Sequence, residues 1–492
     1  MNLRNVFSRI GRAAKSYSGI SGATIALFIA ILFVFNAAFY ALATRYSWYA
    51  YTRASYEHEI GDVSYSYLGE LDTAGREVKI RFCRAPDQID ADVAGRLAHE
   101  TAKQLAARHE FITLEYINIY TEPGKVEKYL YEYDESGERV ETENRITTES
   151  IIFDSGDEYM VQSLSSFYHL TEEGSVLAYN GEEVMLSMIR WVLSGEHETV
   201  YFTANHGESS GAGFYNLLVC AGYRVQEINL TLEEIPSDAA MIVISNPKYD
   251  FEKAAAGSGI VAEIDKLQRY LADGGRLFVS LDALLGDLPH LDALLSSFGL
   301  VREHATVRDV SEAVSSDGLA LLTRFASGET ASAIASSIDR YSDGRVVLRE
   351  ASPIEISEPA NGARVEALLV SAPGSAAYAN GEQVSSSGSY PLAALSVNAA
   401  GGSIFLSSSI YLTAEDLLRS DAYANGEFLY ALLSRMLGTD VPLGCTTLSF
   451  DNERIEGMTM GVVHAWSIIL VAAVPIAVLC VGNVIRVRRK NR

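Results

Sequence analysis

Cysteine is scarce, with four in 492 residues. Cys480 falls in an uncharged run near the C-terminus, and Cys83, Cys220 and Cys445 are an odd, widely spaced set without metal-ligand spacing. Neither a disulfide framework nor a metal centre is expected from them, and they read as small buried apolar residues. The chain has no Gly-x-Ser-x-Gly elbow and no cysteine closing a buried strand, which argues against nucleophilic hydrolysis. Gly207, Gly211 and Gly213 give neither Gly-x-Gly-x-x-Gly nor the Lys-Ser/Thr of a phosphate-binding loop, so no nucleotide or other cofactor is expected. Positive charge is also in deficit: 39 Lys plus Arg stand against 63 Asp plus Glu, for a net charge of -24. Such a chain is a poor partner for nucleic acid. No repeat of fixed period is present.

The few basic residues are unevenly placed. Arg4, Arg9, Arg12 and Lys15 precede Gly19–Ala43, and Arg486, Arg488, Arg489, Lys490 and Arg492 follow Gly461–Ile485. Neither run carries a charge, and each is long enough to cross a hydrocarbon core of about 30 Å as a helix. Basic flanks stay on the cytoplasmic side, so both termini are expected inside and the middle of the chain outside. Setting aside those nine cations turns the net charge of -24 into -33, which the exported middle must carry. Tyr40, Tyr46, Trp48, Tyr49 and Trp466 lie where an outer aromatic belt is expected. Ala41-Leu42-Ala43 also reads as a signal-peptidase site, but the apolar run exceeds a usual signal sequence, so an anchor is preferred.

The expected organisation is a cytoplasmic N-terminus (1–18), a transmembrane helix (19–43) and a small thioredoxin-like α/β domain (44–195). A larger α/β domain (196–455), flavodoxin-like or glutamine-amidotransferase-like, a second transmembrane helix (461–485) and a cytoplasmic tail (486–492) complete it. In the first domain Glu77–Cys83 and Phe111–Tyr120 alternate as strands around an amphipathic helix, Ala91–Arg108, with Val93, Leu97, Ala98, Ala102 and Leu105 on one face. Ile146–Phe153 and Tyr159–Leu164 form a further strand pair turning at Ser155-Gly156-Asp157, and Tyr129–Asn144 reads as a solvated hairpin or loop. Arg84-Ala85-Pro86-Asp87 occupies the loop where Cys-x-x-Cys would sit, so no redox activity is expected. Arg45 to Gly69 reads as a Tyr-rich connector.

Glu182–Leu193 is a helix leading into strand–helix alternation: Thr199–Thr203, Phe214–Ala221, Val225–Leu230, Ala240–Ile244, Ile260–Leu271, Arg276–Leu281 and Leu288–Phe298. That order predicts a parallel sheet. The pattern weakens through a Ser/Ala-rich stretch, 311–337, before strands recur at 345–348, 365–371, 392–397 and 403–408, with a last helix at Phe428–Leu437 and a strand at Thr446–Phe450.

His206 and Glu208 lie just past a predicted strand's C-terminal end, where α/β folds place ligands. With Asn205, and with Asn246 and Asp282 from neighbouring strand ends, they are the candidate ligand or partner contacts. The competing reading is a tight turn at His206-Gly207 with Glu208 or Ser209 capping the next helix. No second His follows at a helical spacing, so no metal site is expected.

The run Val200-Tyr201-Phe202-Thr203-Ala204-Asn205-His206-Gly207-Glu208 resembles the strand and Gly-His-Gly-Glu motif of the ABC transporter auxiliary family typified by the gliding-motility protein GldG. Ile235-Pro236-Ser237-Asp238-Ala239, Ile244-Ser245-Asn246-Pro247, Gly274-Gly275-Arg276-Leu277 and Leu281-Asp282 follow in that family's order. Gly401-Gly402-Ser403-Ile404 and Asn425-Gly426-Glu427-Phe428 resemble its closing segment. Asn205 stands where the first Gly is usual. The resemblance implies a membrane-anchored, non-ATPase component working beside separate ABC permease and ATPase subunits; it supplies neither a catalytic role for the His-Gly-Glu loop nor a substrate. An extracytoplasmic hydrolase using His206 and Glu208, or a structural envelope-binding protein, are the alternatives.

Overall fold

The computed structural model describes residues 59–450 apart from 134–136, 143, 171–175, 196, 210, 255–260, 310–312, 339–344, 419, 421, 439–444 and 446. Both predicted transmembrane runs lie outside the described residues. Among the described residues no helix is long and apolar enough to cross a membrane.

The first domain opens with a helix, α1 (Asp62–Glu70), where a connector was expected. Its periodicity is faint because it buries only Ser64 and Leu68. Strand β1 (Val78–Phe82) alternates buried and half-buried residues, and helix α2 (Val93–Arg108) packs on it through Leu97, Ala98, Ala102 and Leu105. Val93, expected on that face, is instead exposed in the first turn. Asp92 caps the helix by accepting the Gly95 N–H at 3.2 Å, so the chain enters from outside the core. Strand β2 (Ile112–Tyr116) runs parallel to β1 and ends four residues earlier than expected. There Asn118 takes the Tyr120 N–H on its side chain and the Thr121 and Glu122 amides on its carbonyl, turning the chain. Strands β3 (Ser150–Asp154) and β4 (Tyr159–Ser163) complete a sheet of order β2-β1-β3-β4, with β3 antiparallel to both neighbours. The expected hairpin is present: Tyr131–Tyr133 pairs with Arg139–Glu141.

Helix α3 (Gly181–Ser194) is buried nearly all round, Met185, Leu186 and Trp191 as well as Val184, Met188, Ile189 and Val192. A helix apolar on every side must be covered on every side. One flank meets the first sheet, where Ser155 Oγ donates to the Val192 carbonyl at 2.7 Å. On another flank Glu183 Oε1 accepts from Tyr430 Oη at 2.7 Å and Arg190 donates to the Ala221 carbonyl.

The second domain is a sheet of eight strands. Strand β5 (Thr199–Thr203) leads through α4 (Ala212–Cys220) to β6 (Arg224–Ile228), and the chain crosses to β7 (Ala239–Ser245), α5 (Glu263–Ala272), β8 (Arg276–Ser280) and α6 (Pro289–Ser297). The Ser/Ala-rich stretch holds a short strand, β9 (Arg324–Phe325), and a helix, α7 (Glu329–Ile338), with only Ala331, Ile334 and Ile338 buried. Strands β10 (Arg364–Val370), β11 (Pro391–Val397) and β12 (Ser403–Ser407) and helix α8 (Asn425–Leu437) follow. The order is β6-β5-β7-β8-β12-β11-β10-β9; neighbours are parallel from β6 to β12 and antiparallel from there on.

Alternate residues of the parallel strands feed two cores. Val200, Phe202, Met241, Val243, Phe278 and Phe405 face α4, α7 and α8. Tyr201, Ile242, Ile244, Leu277, Val279 and Ile404 face α5 and α6. Burial on both faces explains why these strands read as unbroken apolar runs. Gly402 is required by close approach: a Cβ there would stand 1.9 Å from the Leu271 carbonyl at the end of α5. The strand Leu448–Ser449 pairs with Val176–Tyr179, which also pairs with Tyr168–Leu170.

Candidate functional site

From β5 the chain goes to β6 on one side, then returns to β7 on the other. The carboxyl ends of β5 and β7 therefore form a topological switch point, the position where open α/β sheets leave a crevice for ligands. Asn205, His206 and Glu208 follow β5, Asn246 follows β7, and Asp282 follows β8. The sheet brings the five predicted residues to one edge.

They divide into two hydrogen-bonded groups. Asn246, with φ of 48°, donates its N–H to the Ser280 carbonyl at 2.8 Å and accepts the Asp282 N–H on Oδ1 at 3.1 Å. The Asp282 carboxylate takes the Leu284 N–H at 2.8 Å. These two residues stitch the loops after β7 and β8.

His206 belongs to the other group. The loop doubles back at Asn205 and Gly207, with φ of 87° and 72°, which turns the imidazole inward. His206 is 6% exposed and stacks on Phe251, ring centroids 4.1 Å apart and planes at 22°. Its Nε2 lies 3.1 Å from Glu263 Oε2, and its Nδ1 lies 3.3 Å from Glu208 Oε1. The second contact is an ion pair off the hydrogen-bonding direction, since neither atom has a hydrogen-bond partner. Glu208 Oε2 accepts the His206 N–H at 2.7 Å. The turn expected at His206-Gly207 is present, but Glu208 does not cap the following helix: α4 starts at Ala212 with no side-chain cap. Its carboxylate is spent on the His206 amide and imidazole instead.

Glu263, not picked out from the sequence, is the centre of the arrangement. It is 2% exposed in the first turn of α5, where the helix dipole favours a carboxylate. Besides His206 it accepts the Glu252 N–H at 2.8 Å and the Thr231 hydroxyl at 2.6 Å. The loops after β5, β6 and β7 thus meet on one side chain. The His206 carbonyl adds two more ties, accepting the Lys248 and Tyr249 amides at 2.7 and 3.0 Å. Ser209 donates its N–H to the Ser245 carbonyl at 3.0 Å, and Ser245 Oγ donates to the Ser209 carbonyl at 2.5 Å. Nothing in the local sequence marks Glu263 beyond its place at a helix start.

Burial alone would lower the imidazole pKa, but Glu208 and Glu263 outweigh it and the net direction is upward. Burial alone would raise the Glu208 carboxyl, but His206 and the backbone amides hold it below its ordinary value. The imidazole lies between two carboxyl groups, and its charged form is favoured there over its ordinary balance. Both ring nitrogens face protein carboxyl groups and Phe251 covers one ring face, so the imidazole ties the loop after β5 to the start of α5. Among the described residues no group of three or more His, Cys, Asp or Glu is arranged to hold a metal ion. Cys83 is buried, and Cys220 and Cys445 are half-buried.

A cavity of about 400 Å³ lies at the opposite edge, lined by Pro236, Lys266, Arg269, Tyr270, Asp273 and Arg276. Arg276 begins β8, so this hollow is at the amino ends of the strands and apart from the switch point.

Comparison with protein-family models and with curated proteins gives no match. Among solved structures, the chain is similar to the N-terminal domain of mmIFT52 at 17% identity and a TM-score of 0.36, over 49% of this chain and 99% of that one. PurLQS from Thermotoga maritima is similar at 10% identity and a TM-score of 0.26, over 48% of this chain and 98% of its own. A cytoplasmic protein from Salmonella typhimurium is similar at 11% identity and a TM-score of 0.25, over 47% and 98%. The α/β class of the chain rests on its own strand order, parallel pairings and two-sided core.

Proposed function

We propose that this protein is a membrane-anchored, non-ATPase accessory subunit of an ABC transport system, with both termini cytoplasmic and two α/β domains outside the membrane that bind a partner or substrate. The observation that carries the reading is the enclosure of His206: Glu263 hydrogen-bonds its Nε2, Glu208 stands 3.3 Å from its Nδ1, and Phe251 covers one ring face. A residue so engaged fits a binding scaffold better than a reacting group. Two uncharged runs with basic flanks supply the anchors, and the motif resemblance supplies the ABC context.

The finer fold reading belongs with this proposal. A β-α-β unit followed by a β-hairpin and a helix, in the order β2-β1-β3-β4, supports a thioredoxin-like first domain. The parallel order β6-β5-β7-β8-β12 matches a 2-1-3-4-5 arrangement once β9, β10 and β11, which precede β12 in the chain, are set aside, and it supports a flavodoxin-like or glutamine-amidotransferase-like second domain.

Affinity purification of the tagged full-length chain in mild detergent tests the function. An ABC permease and its ATPase should be recovered together with it, and their absence from repeated preparations contradicts the proposal.

A further inference from the structure

The edge that carries the His206 cluster also displays apolar side chains in an ordered way. Leu232, after β6, is 80% exposed; Tyr249, after β7, is 69% exposed; Leu284, after β8, is 80% exposed. A single exposed leucine needs no explanation, but a large apolar side chain exposed on each of three loops at one sheet edge gives that edge three anchors. Adjacent strands stand about 4.8 Å apart, so β6 and β8, three spacings apart, launch the outer two of these loops from points roughly 15 Å apart. That separation fits inside one ordinary protein interface.

The backbone beneath each side chain is fixed. Lys266 Nζ donates to the Leu230 and Glu233 carbonyls, both at 2.7 Å, on either side of Leu232. The Tyr249 amide is held by the His206 carbonyl, and the Leu284 amide by Asp282. Glu263 joins the first two loops through Thr231, Glu252 and His206. Asn246 and Asp282 join the third. Anchors held in place before binding lose little freedom on contact, which is how a small patch gains affinity.

Charge selects the occupant. The same three loops carry Glu233, Asp250, Glu252, Asp282 and Asp287 against Lys248 and Lys253, with His290 beside Asp250 and His304 beside Asp287. An acidic rim disfavours a second copy of this acidic chain and an anionic lipid surface, and favours a basic partner.

We propose that the carboxyl-terminal edge of the parallel sheet is a protein-docking surface for a segment of a second polypeptide in which lysine or arginine flanks an aliphatic or aromatic anchor. This deepens the accessory role proposed above and rests on it.

The test is photo-cross-linking in the full-length protein in its native membrane, with p-benzoylphenylalanine replacing Leu232, Tyr249 or Leu284. Tyr120 and Val384, exposed elsewhere, serve as control positions. The three platform positions should give one common adduct whose cross-linked peptide has Lys or Arg beside an apolar residue. Its yield should fall about tenfold when Glu233, Glu252 and Asp287, all exposed, are changed to Lys, with thermal unfolding unchanged. The proposal is overturned if the platform labels only lipid or another copy of this chain. Unrelated adducts at the three positions, or adducts matching the controls, overturn it too. Recovery of permease and ATPase without a platform adduct removes the docking surface alone and leaves the accessory role standing.

Discussion

His206 Nε2 stands 3.1 Å from Glu263 Oε2 although 57 residues separate them in the chain. The contact fastens the loop after β5 to the first turn of α5, and the loops after β6 and β7 are tied to the same carboxylate. Removing that carboxylate leaves a buried amide, a hydroxyl and half of an ion pair without partners. Glu263→Ala should therefore cost about 3–5 kcal/mol in urea unfolding, whereas Glu263→Gln, which keeps an acceptor, should cost about 1–3 kcal/mol. Equal losses in the two variants would show that the negative charge, which both remove, holds the site rather than the hydrogen-bond acceptor that Gln keeps.

Asn205 lies at φ of 87°, a region that disfavours L side chains and that asparagine tolerates better than most. Asn205→Ala should destabilise by about 1 kcal/mol, while Asn205→Gly should stay within about 0.5 kcal/mol of the parent, strain relief being offset by a freer unfolded chain. Chemical denaturation of the three proteins side by side checks the order.

Glu183, facing Tyr430, has its carboxyl pushed up to about 7 by burial. A raised folded pKa means stability is complete below the unfolded value and is lost as pH rises toward the folded one. Glu183→Gln keeps an acceptor for Tyr430 and cannot ionise. It should match the parent near pH 4.5 and exceed it by about 1–2 kcal/mol above pH 7, the half-buried position limiting the gain. Urea midpoints measured at both pH values decide this; a variant less stable than the parent at high pH contradicts it.

Much of the architecture was legible because the parallel strands are buried on both faces: Ala240 to Ile244 and Leu277 to Val279 are unbroken apolar runs between turn residues. Legibility failed where few residues face the core. Helix α7 buries Ala331, Ile334 and Ile338 at helical spacing but in a Ser/Ala background that dilutes it, and α1 buries only two side chains, so the period of each is faint. Strand β2 reads as longer than it is because Tyr116 to Tyr120 keeps a strand-like composition while Asn118 turns the backbone. At the candidate site, His206 and Glu208 announced themselves by adjacency. Glu263 did not, because only strand order and the packing of α5 bring it there. The sequence also could not show that the carboxylate of Glu208 would be consumed by its own loop rather than by α4.

The pH dependence of thermal unfolding in the parent and in His206→Ala separates a structural tie from a reacting group most directly. The raised imidazole pKa contributes stability that is complete below 6.5 and lost as pH rises through the higher folded value. The lowered Glu208 pKa contributes stability that is present above 4.5 and lost as pH falls through the lower folded value. Both are complete between those two values, so the parent should unfold at a higher temperature than His206→Ala by the widest margin between pH 4.5 and 6.5, with the gap narrowing on either side. Identical unfolding curves at every pH, together with loss of function in His206→Ala, would contradict the structural role and assign the imidazole to chemistry.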